Sequence, residues 1–593
     1  MFMLTHALKL TLMPQIFAIK NYLTDNPCAK AQAADKFEFS LNKYIREPSQ
    51  DHCIKIGGMA LRSSIPDQRS QGMTNVGLVI LYRLTLHPLA KYPGPLLGRI
   101  TNWGTAIQAS SGARHLSSRK EHEIYGPIVR TAPNTLSVNT IAGLTAIYAS
   151  RNANVQKSDW YRIFHAASRG ASSTHSEVDP QSHAFRRRVL EHGFSGSALR
   201  SAEKYVHQNV DLWCKYLAQD ASESDSWTPA RNMSDWCSYL SYDVMGDWTF
   251  GKRFNCIESD EHRYVPNLLM ERMKLLHTLS YLPLAHLVRR LLGTPVMALL
   301  AGKLAHAGVK YTQYSSSLME ARIAAEKEMS ASGKEPRKDF AHYLLNAKDP
   351  QTGKGFSLAQ LRAESSLLIA AGTDTVASTM SATLFYLLNN PSTLKKLTVD
   401  IRSAFSSPDQ IDGNSMSGIP YLRACVDEAL RLSPPAPGHL PREVLASGLV
   451  IENDHIPPGT VVGASSYVIH HNPEYYPDPF KFRPERWIVD EHSAGINSPD
   501  AVSTARAAFC AFSLGRRGCI GKNIAYIELG VALAKLIYKF DMRLPENRSE
   551  KQATGGGVPD HEIPERRRSD EYQLVDHFLV GRDGPWVEFR ARE

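Results

Sequence analysis

Phe512-Ser513-Leu514-Gly515-Arg516-Arg517-Gly518-Cys519-Ile520-Gly521 sets one cysteine in a loop punctuated by glycines, with an arginine two residues before it. Directly after it, Asn523 to Leu536 runs on as an apolar, helix-forming stretch. A thiolate stays ionised in electropositive, donor-rich surroundings, and a helix N-terminus supplies free backbone N–H groups and a partial positive charge. Gly515, Gly518 and Gly521 permit turns and close backbone approach. Arg517 offers a planar fork suited to a carboxylate. Such a loop is a place to hold an iron by sulfur. A phosphate-binding loop is excluded, because Gly515 to Gly521-Lys522 is one residue too long for G-x-x-x-x-G-K and Asn523 replaces the required Ser or Thr.

The decapeptide resembles the F-x-x-G-x-R-x-C-x-G signature of the cytochrome P-450 superfamily, the haem-thiolate monooxygenases, at every fixed position. The resemblance implies that Cys519 is the axial ligand of haem b. It implies that Arg517 meets a haem propionate, that Phe512 screens the sulfur, and that Gly515 and Gly521 shape the cofactor loop. An electron-rich thiolate favours O–O cleavage on iron. A lone loop cysteine is more often a buried thiol without a role; the further fixed residues reverse that reading.

A long helix is predicted from Ser357 to just before Pro391, opened by a capping box of Ser357 and Gln360. Gly372 and Asp374 interrupt its apolar middle, Leu367 to Val376, and each is costly there. The segment resembles the family's A-G-x-[DE]-T stretch on the helix that crosses the distal haem face. By that resemblance Gly372 opens room for dioxygen, and Asp374 with Thr375 relays protons. Val376, where many relatives carry Thr or Ser, is a minor departure.

Glu428 and Arg431 share a helix face at i and i+3. With Arg486 of Pro484-Glu485-Arg486-Trp487, which resembles the family's P-E-R-[FW] segment, they form a structural cluster bracing the cysteine loop. His183 and Arg187 match the [WH]-x-x-x-R pattern, and Arg442 lies in Leu440-Pro441-Arg442; all three are expected at the propionates. The pair His470-His471 lacks acidic or cysteine co-ligands and reads as scaffold.

The chain has 593 residues, 43% hydrophobic and 21% charged, enough to bury a large core. Eight cysteines without C-x-x-C pairs argue against a zinc site or a disulfide framework. A formal charge of +9 permits an acidic partner or an anionic membrane surface. No motif supports nucleic acid.

Residues 1–72 are atypical and carry no assigned function; 73–96 hold a short apolar run, Val76–Tyr82, and a Pro-rich connector expected to be extended; 97–593 form the haem-thiolate domain. The hinge resembles that of filamentous-fungal microsomal members, yet the anchor expected before it is missing. Either the chain is peripheral or residues 1–72 come from a misassigned start. The fold implied is mostly α with small β-sheets, the haem lying between the long distal helix and the proximal cysteine loop. Strand character is read at Ile128–Val138 and at 449–463, and the polar insert 549–570 as a surface loop.

The resemblance implies a monooxygenase that hydroxylates or epoxidises a lipophilic small molecule with dioxygen. Electrons would come from NADPH through a separate diflavin cytochrome P-450 reductase, docking near Arg187, Arg188, Arg516 and Lys522. The implied location is the cytosolic face of the endoplasmic reticulum membrane, the implied role fungal secondary-metabolite biosynthesis. Rival readings are a haem-thiolate isomerase or dehydratase, a xenobiotic or fatty-acid hydroxylase, and a haem sensor or electron carrier. Specificity is expected from residues 155–180, 255–310 and Pro434–His439.

Overall fold

The computed structural model describes residues 68–167, 171–220, 226–546 and 554–592. Chain contacts divide it into two units, Met1–Val76 and Gly77–Glu593. Most of 1–72 lies outside the described residues. A helix, α1 (Gln68–Thr85), contains the apolar run Val76–Tyr82. The connector after it is not extended as expected. Backbone turns close it, with Leu86 and His87 N–H donating to the Tyr82 carbonyl and Ala90 to His87; extended backbone returns at Pro95. Among the described residues no single helix is long and apolar enough to cross a membrane.

After α2 (Arg114–Tyr125), the strand-like run at 128–138 is a hairpin, β1 (Ile128–Ala132) and β2 (Thr135–Val138), turning at Pro133-Asn134 with Ile128 opposite Val138. With β3 (Val155–Lys157), β4 (Arg442–Val444) and β5 (Val461–Gly463) it forms a sheet ordered β1-β2-β5-β4-β3, parallel only between β2 and β5. This sheet brings Lys157 and Arg442 opposite one another in register.

Helices dominate the rest: α3 (Pro180–Glu191), α4 (Gly196–Leu217), α5 (Met233–Phe250), α6 (Val265–Ser280), α7 (Pro295–Ala331), α8 (Leu358–Asn389), α9 (Pro420–Leu432) and α10 (Lys522–Lys539). The long helix appears where the capping box placed it, with both reciprocal bonds formed. Its small and apolar residues are buried along most of its length, and it packs on α5, α7, α9 and α10 in the core. Gly372 lies close against α5. A Cβ there would stand 2.5 Å from Met245 Sδ of α5, so the missing side chain admits that methionine.

A C-terminal hairpin, β6 (Val575–His577) and β7 (Leu579–Gly581), returns to the core. The described part of the 549–570 insert is not purely surface. Gly555, Gly557 and Arg566 are buried, and the Arg566 guanidinium donates to the carbonyls of Gly112 and Leu574.

Candidate active site

Cys519 closes a single 3-10 turn, Gly515–Arg517, and stands three residues before α10. Its N–H donates to the Phe512 carbonyl at 2.8 Å, which folds the signature back on itself. Gly515 is indispensable: its φ is +65°, and a Cβ would fall 2.1 Å from the Tyr148 carbonyl oxygen. Gly521 is less demanding, since a Cβ there makes only ordinary contacts, 3.9 Å from Cys519 Sγ. The Phe512 ring packs against Tyr526 at 5.1 Å, under the Lys522 ammonium.

Among the six described cysteines, Cys519 alone is exposed. Burial pushes Cys214, Cys237 and Cys510 up to about 12, fixing them as thiols. Cys519 is also raised by its enclosure, but the N–H groups of Gly521 and Lys522 and the charges of Arg187 and Lys522 oppose that rise. These are the influences that favour a thiolate.

A stripe on α8 carries the other half of the site. Leu367, Ala371 and Thr375 follow at i+4 spacing and are uncovered on a helix otherwise buried through its middle. The Thr375 hydroxyl donates to the Ala371 carbonyl at 2.7 Å. Asp374 points elsewhere. Its Oδ1 accepts 2.8 Å from Arg582, which also donates to Ser378 and to Ser238 of α5. Asp374 Oδ2 is buried with no hydrogen-bond partner. No hydrogen bond joins Asp374 to Thr375 among the described residues, so the relay pair of the sequence reading is split between two faces of α8.

Between loop and sheet lies a concentration of cationic and imidazole groups. Lys157, His175, His183, Arg442 and Arg517 gather there, and the charges of Glu177, Glu364 and Asp179 oppose them only in part. Burial, then Arg517 and Lys157, drives His183 down to about 2. Lys157 is depressed by burial, Arg517 and Arg442, and Arg517 falls to about 10 through burial and Arg442. His175 is lowered by burial and the same three cations, and its Nε2 has no partner. Arg442 donates to the Tyr161 hydroxyl at 3.0 Å, and Arg517 to the Glu177 and Val178 carbonyls. Arg187 sits instead against the cysteine loop, donating to the Gly518 carbonyl at 2.8 Å and pairing with Glu191.

Buried cations gathered in this way suit an anionic group. The two propionates of a haem would meet these cations and Cys519 would offer its iron a sulfur, so the residues present fit the group. Sequence reading found Arg517, Arg442 and His183 but missed Lys157, His175 and Arg582, which stand in no local pattern.

The bracing cluster forms as expected. Fully buried Glu428 accepts from Arg431 at 2.9 Å on both oxygens, from Arg486 at 3.1 Å and from the Trp487 indole at 3.1 Å. His470 Nε2 accepts from the Cys510 N–H at 3.0 Å.

The family model for cytochrome P450 matches residues 93–562. The chain belongs to the cytochrome P450 family. This P450 is 37% identical over 517 residues to the cytochrome P450 monooxygenase AKT7 of Alternaria alternata, covering 86% of this chain and 94% of that one. It is 36% identical over 534 residues to the monooxygenase atnE of Emericella nidulans, covering 86% and 93%. The crystal structure of the P450DA haem domain superposes with a TM-score of 0.64 at 17% identity, covering 85% of this P450 and 98% of that chain, a likeness of fold alone. The enzyme is a haem-dependent monooxygenase with cysteine-thiolate ligation.

Proposed function

We propose that this P450 hydroxylates or epoxidises a lipophilic small molecule in fungal secondary-metabolite biosynthesis, drawing electrons from NADPH through a separate diflavin reductase. The observation that carries the reading is the exposed Cys519 thiol at the head of α10, beside the cationic cluster of Lys157, Arg442 and Arg517.

When bound, haem supplies dioxygen activation. Cys519 holds it by sulfur, and Lys157, His183, Arg442 and Arg517 hold its carboxylates. Thr375, on the uncovered stripe, presents a hydroxyl through which a proton reaches the distal side. Asp374 keeps one oxygen on Arg582 and one free to accept from water behind it. The closely packed α5 and α8 exclude bulk water from the remainder of that face.

For the reductase, the exposed cations nearest the sulfur are Arg516 and Lys522. Arg187 and Arg188 are already engaged with Glu191 and Asp349. We place the enzyme at the endoplasmic reticulum membrane, on its cytosolic face. Support comes from the exposed Leu287, Val296, Leu299 and Leu300 around the entry to α7.

Replacing Cys519 with Ser and recording the reduced carbon-monoxide difference spectrum tests the ligand. The thiolate band should vanish in the variant, and its survival would overturn the reading. In the parent, oxygen consumption that needs both NADPH and reductase separates a monooxygenase from an isomerase or dehydratase.

A further inference from the structure

A cavity of about 300 Å³ lies beside the haem-facing cluster. It is bounded by all three segments from which specificity is expected: Ser158, Trp160 and Ile163; Tyr281 and Leu282; and His439. Most of its walls are apolar. Into them is set Arg114, the first residue of α2, only 4% exposed. Its Nε and Nη1 are buried and have no hydrogen-bond partner among the described residues. A buried guanidinium left unpaired is costly, which makes this one a group in want of an anion.

Three acids lie near it without a hydrogen bond to it among the described residues, although Glu121 and Asp576 both feel the Arg114 charge. Asp159 pairs with Arg162 and Arg289. Glu121 accepts from Gln108 and is raised by burial. Asp576 accepts from the Phe578 N–H, makes no ion pair with Arg114 within 4.0 Å among the described residues, and is likewise raised by burial. The Tyr281 ring lies 4.5 Å from the guanidinium carbon and steadies the fork. Three neutral donors on the same lining are also buried and unpartnered: Thr131 Oγ1, Ser158 Oγ and Trp160 Nε1.

A buried guanidinium with two donor atoms unpartnered among the described residues, and neutral donors around it, suits a single negative charge, and a planar fork suits a carboxylate. The volume falls at the low end of small-molecule sites. Ser158 follows Lys157 directly and donates its N–H to the carbonyl of Pro441, the residue before Arg442. Trp160 packs on Phe164 and Phe578, and both of those touch His175. The cavity therefore shares a wall with the haem-facing cluster.

We propose that this cavity is a carboxylate subsite, and that the substrate is a lipophilic monocarboxylic acid anchored by Arg114 with Ser158 and Trp160 assisting. The inference rests on the monooxygenase reading and narrows its substrate class.

Calorimetric titration of the holoenzyme with decanoate and biphenyl-4-carboxylate, each against its methyl ester, tests it. The acids should bind at least ten-fold tighter than the esters. R114M should erase that preference while ester binding persists, and R114K should retain part of it. Should R114M fail to fold, R114K and W160F carry the test, each weakening the acids several-fold and leaving the esters unchanged. Equal affinity for acid and ester in the parent, or an undiminished preference in the variants, overturns the proposal. The carbon-monoxide spectrum of the same preparation keeps the two readings apart. An intact thiolate band without acid preference sinks only the subsite.

Discussion

Glu528 of α10 is fully enclosed, and its one polar partner is the Ser241 hydroxyl, which donates to it at 2.8 Å. Burial raises this carboxyl to about 8, so the folded chain keeps the proton while the unfolded chain has lost it. The sign follows from linkage. Between about pH 4.3 and about 8 folding takes up a proton, and this group's contribution to stability falls as pH rises, by about 1.4 kcal/mol per unit. Glu528→Gln should therefore match the parent near pH 4 and surpass it increasingly toward pH 8, read as the apparent unfolding midpoint. A difference that does not grow with pH would contradict this assignment. Glu428 behaves oppositely. Burial tends to raise it, yet Arg431 and Arg486 outweigh burial and hold it ionised.

Along α8, distant partners decide what each residue does. The capping box and the following proline made both ends of this helix legible, because those signals lie within a few residues of the boundary. The contact between Gly372 and Met245 was not legible, since Met245 belongs to another helix. Asp374 was recognised as anomalous, but its counter-ion stands 208 residues away and follows no spacing rule. The same limit hid Lys157 and His175, which the sheet and the loop after it deliver to the cluster. Thr375 presents its hydroxyl on the uncovered stripe, so Thr375→Val should uncouple the reaction. Product formed per NADPH should drop by about a hundred-fold, the lower range for a lost proton-transfer group, while substrate affinity holds. Product yield equal to the parent's would remove Thr375 from the proton path.

On the scale of the whole molecule, exposed Arg516 and Lys522 flank the sulfur, and this is where a negatively charged reductase would be steered. Charge reversal of both should lower the rate of reductase-dependent reduction about ten-fold at low salt, with the gap narrowing as ionic strength rises. A rate indifferent to both changes would move the docking face elsewhere. The fold class and the order of the main motifs were readable, because the cysteine loop and the long helix each carry their own local chemistry. The Arg114 cavity was not, because it is made where α2, β3's successor loop and α6 converge.

The carbonyl of Tyr148 pressed against Gly515 has a bearing on how the enzyme is made. That contact, like the grouping of Lys157 with Arg517, unites stretches emerging from the ribosome far apart in time. Until translation has passed the sulfur-bearing turn, the early cations have no counterpart and the pigment has no ligand. Haem capture must then wait for synthesis to be nearly complete, and nascent chains stopped short of residue 519 should stay colourless.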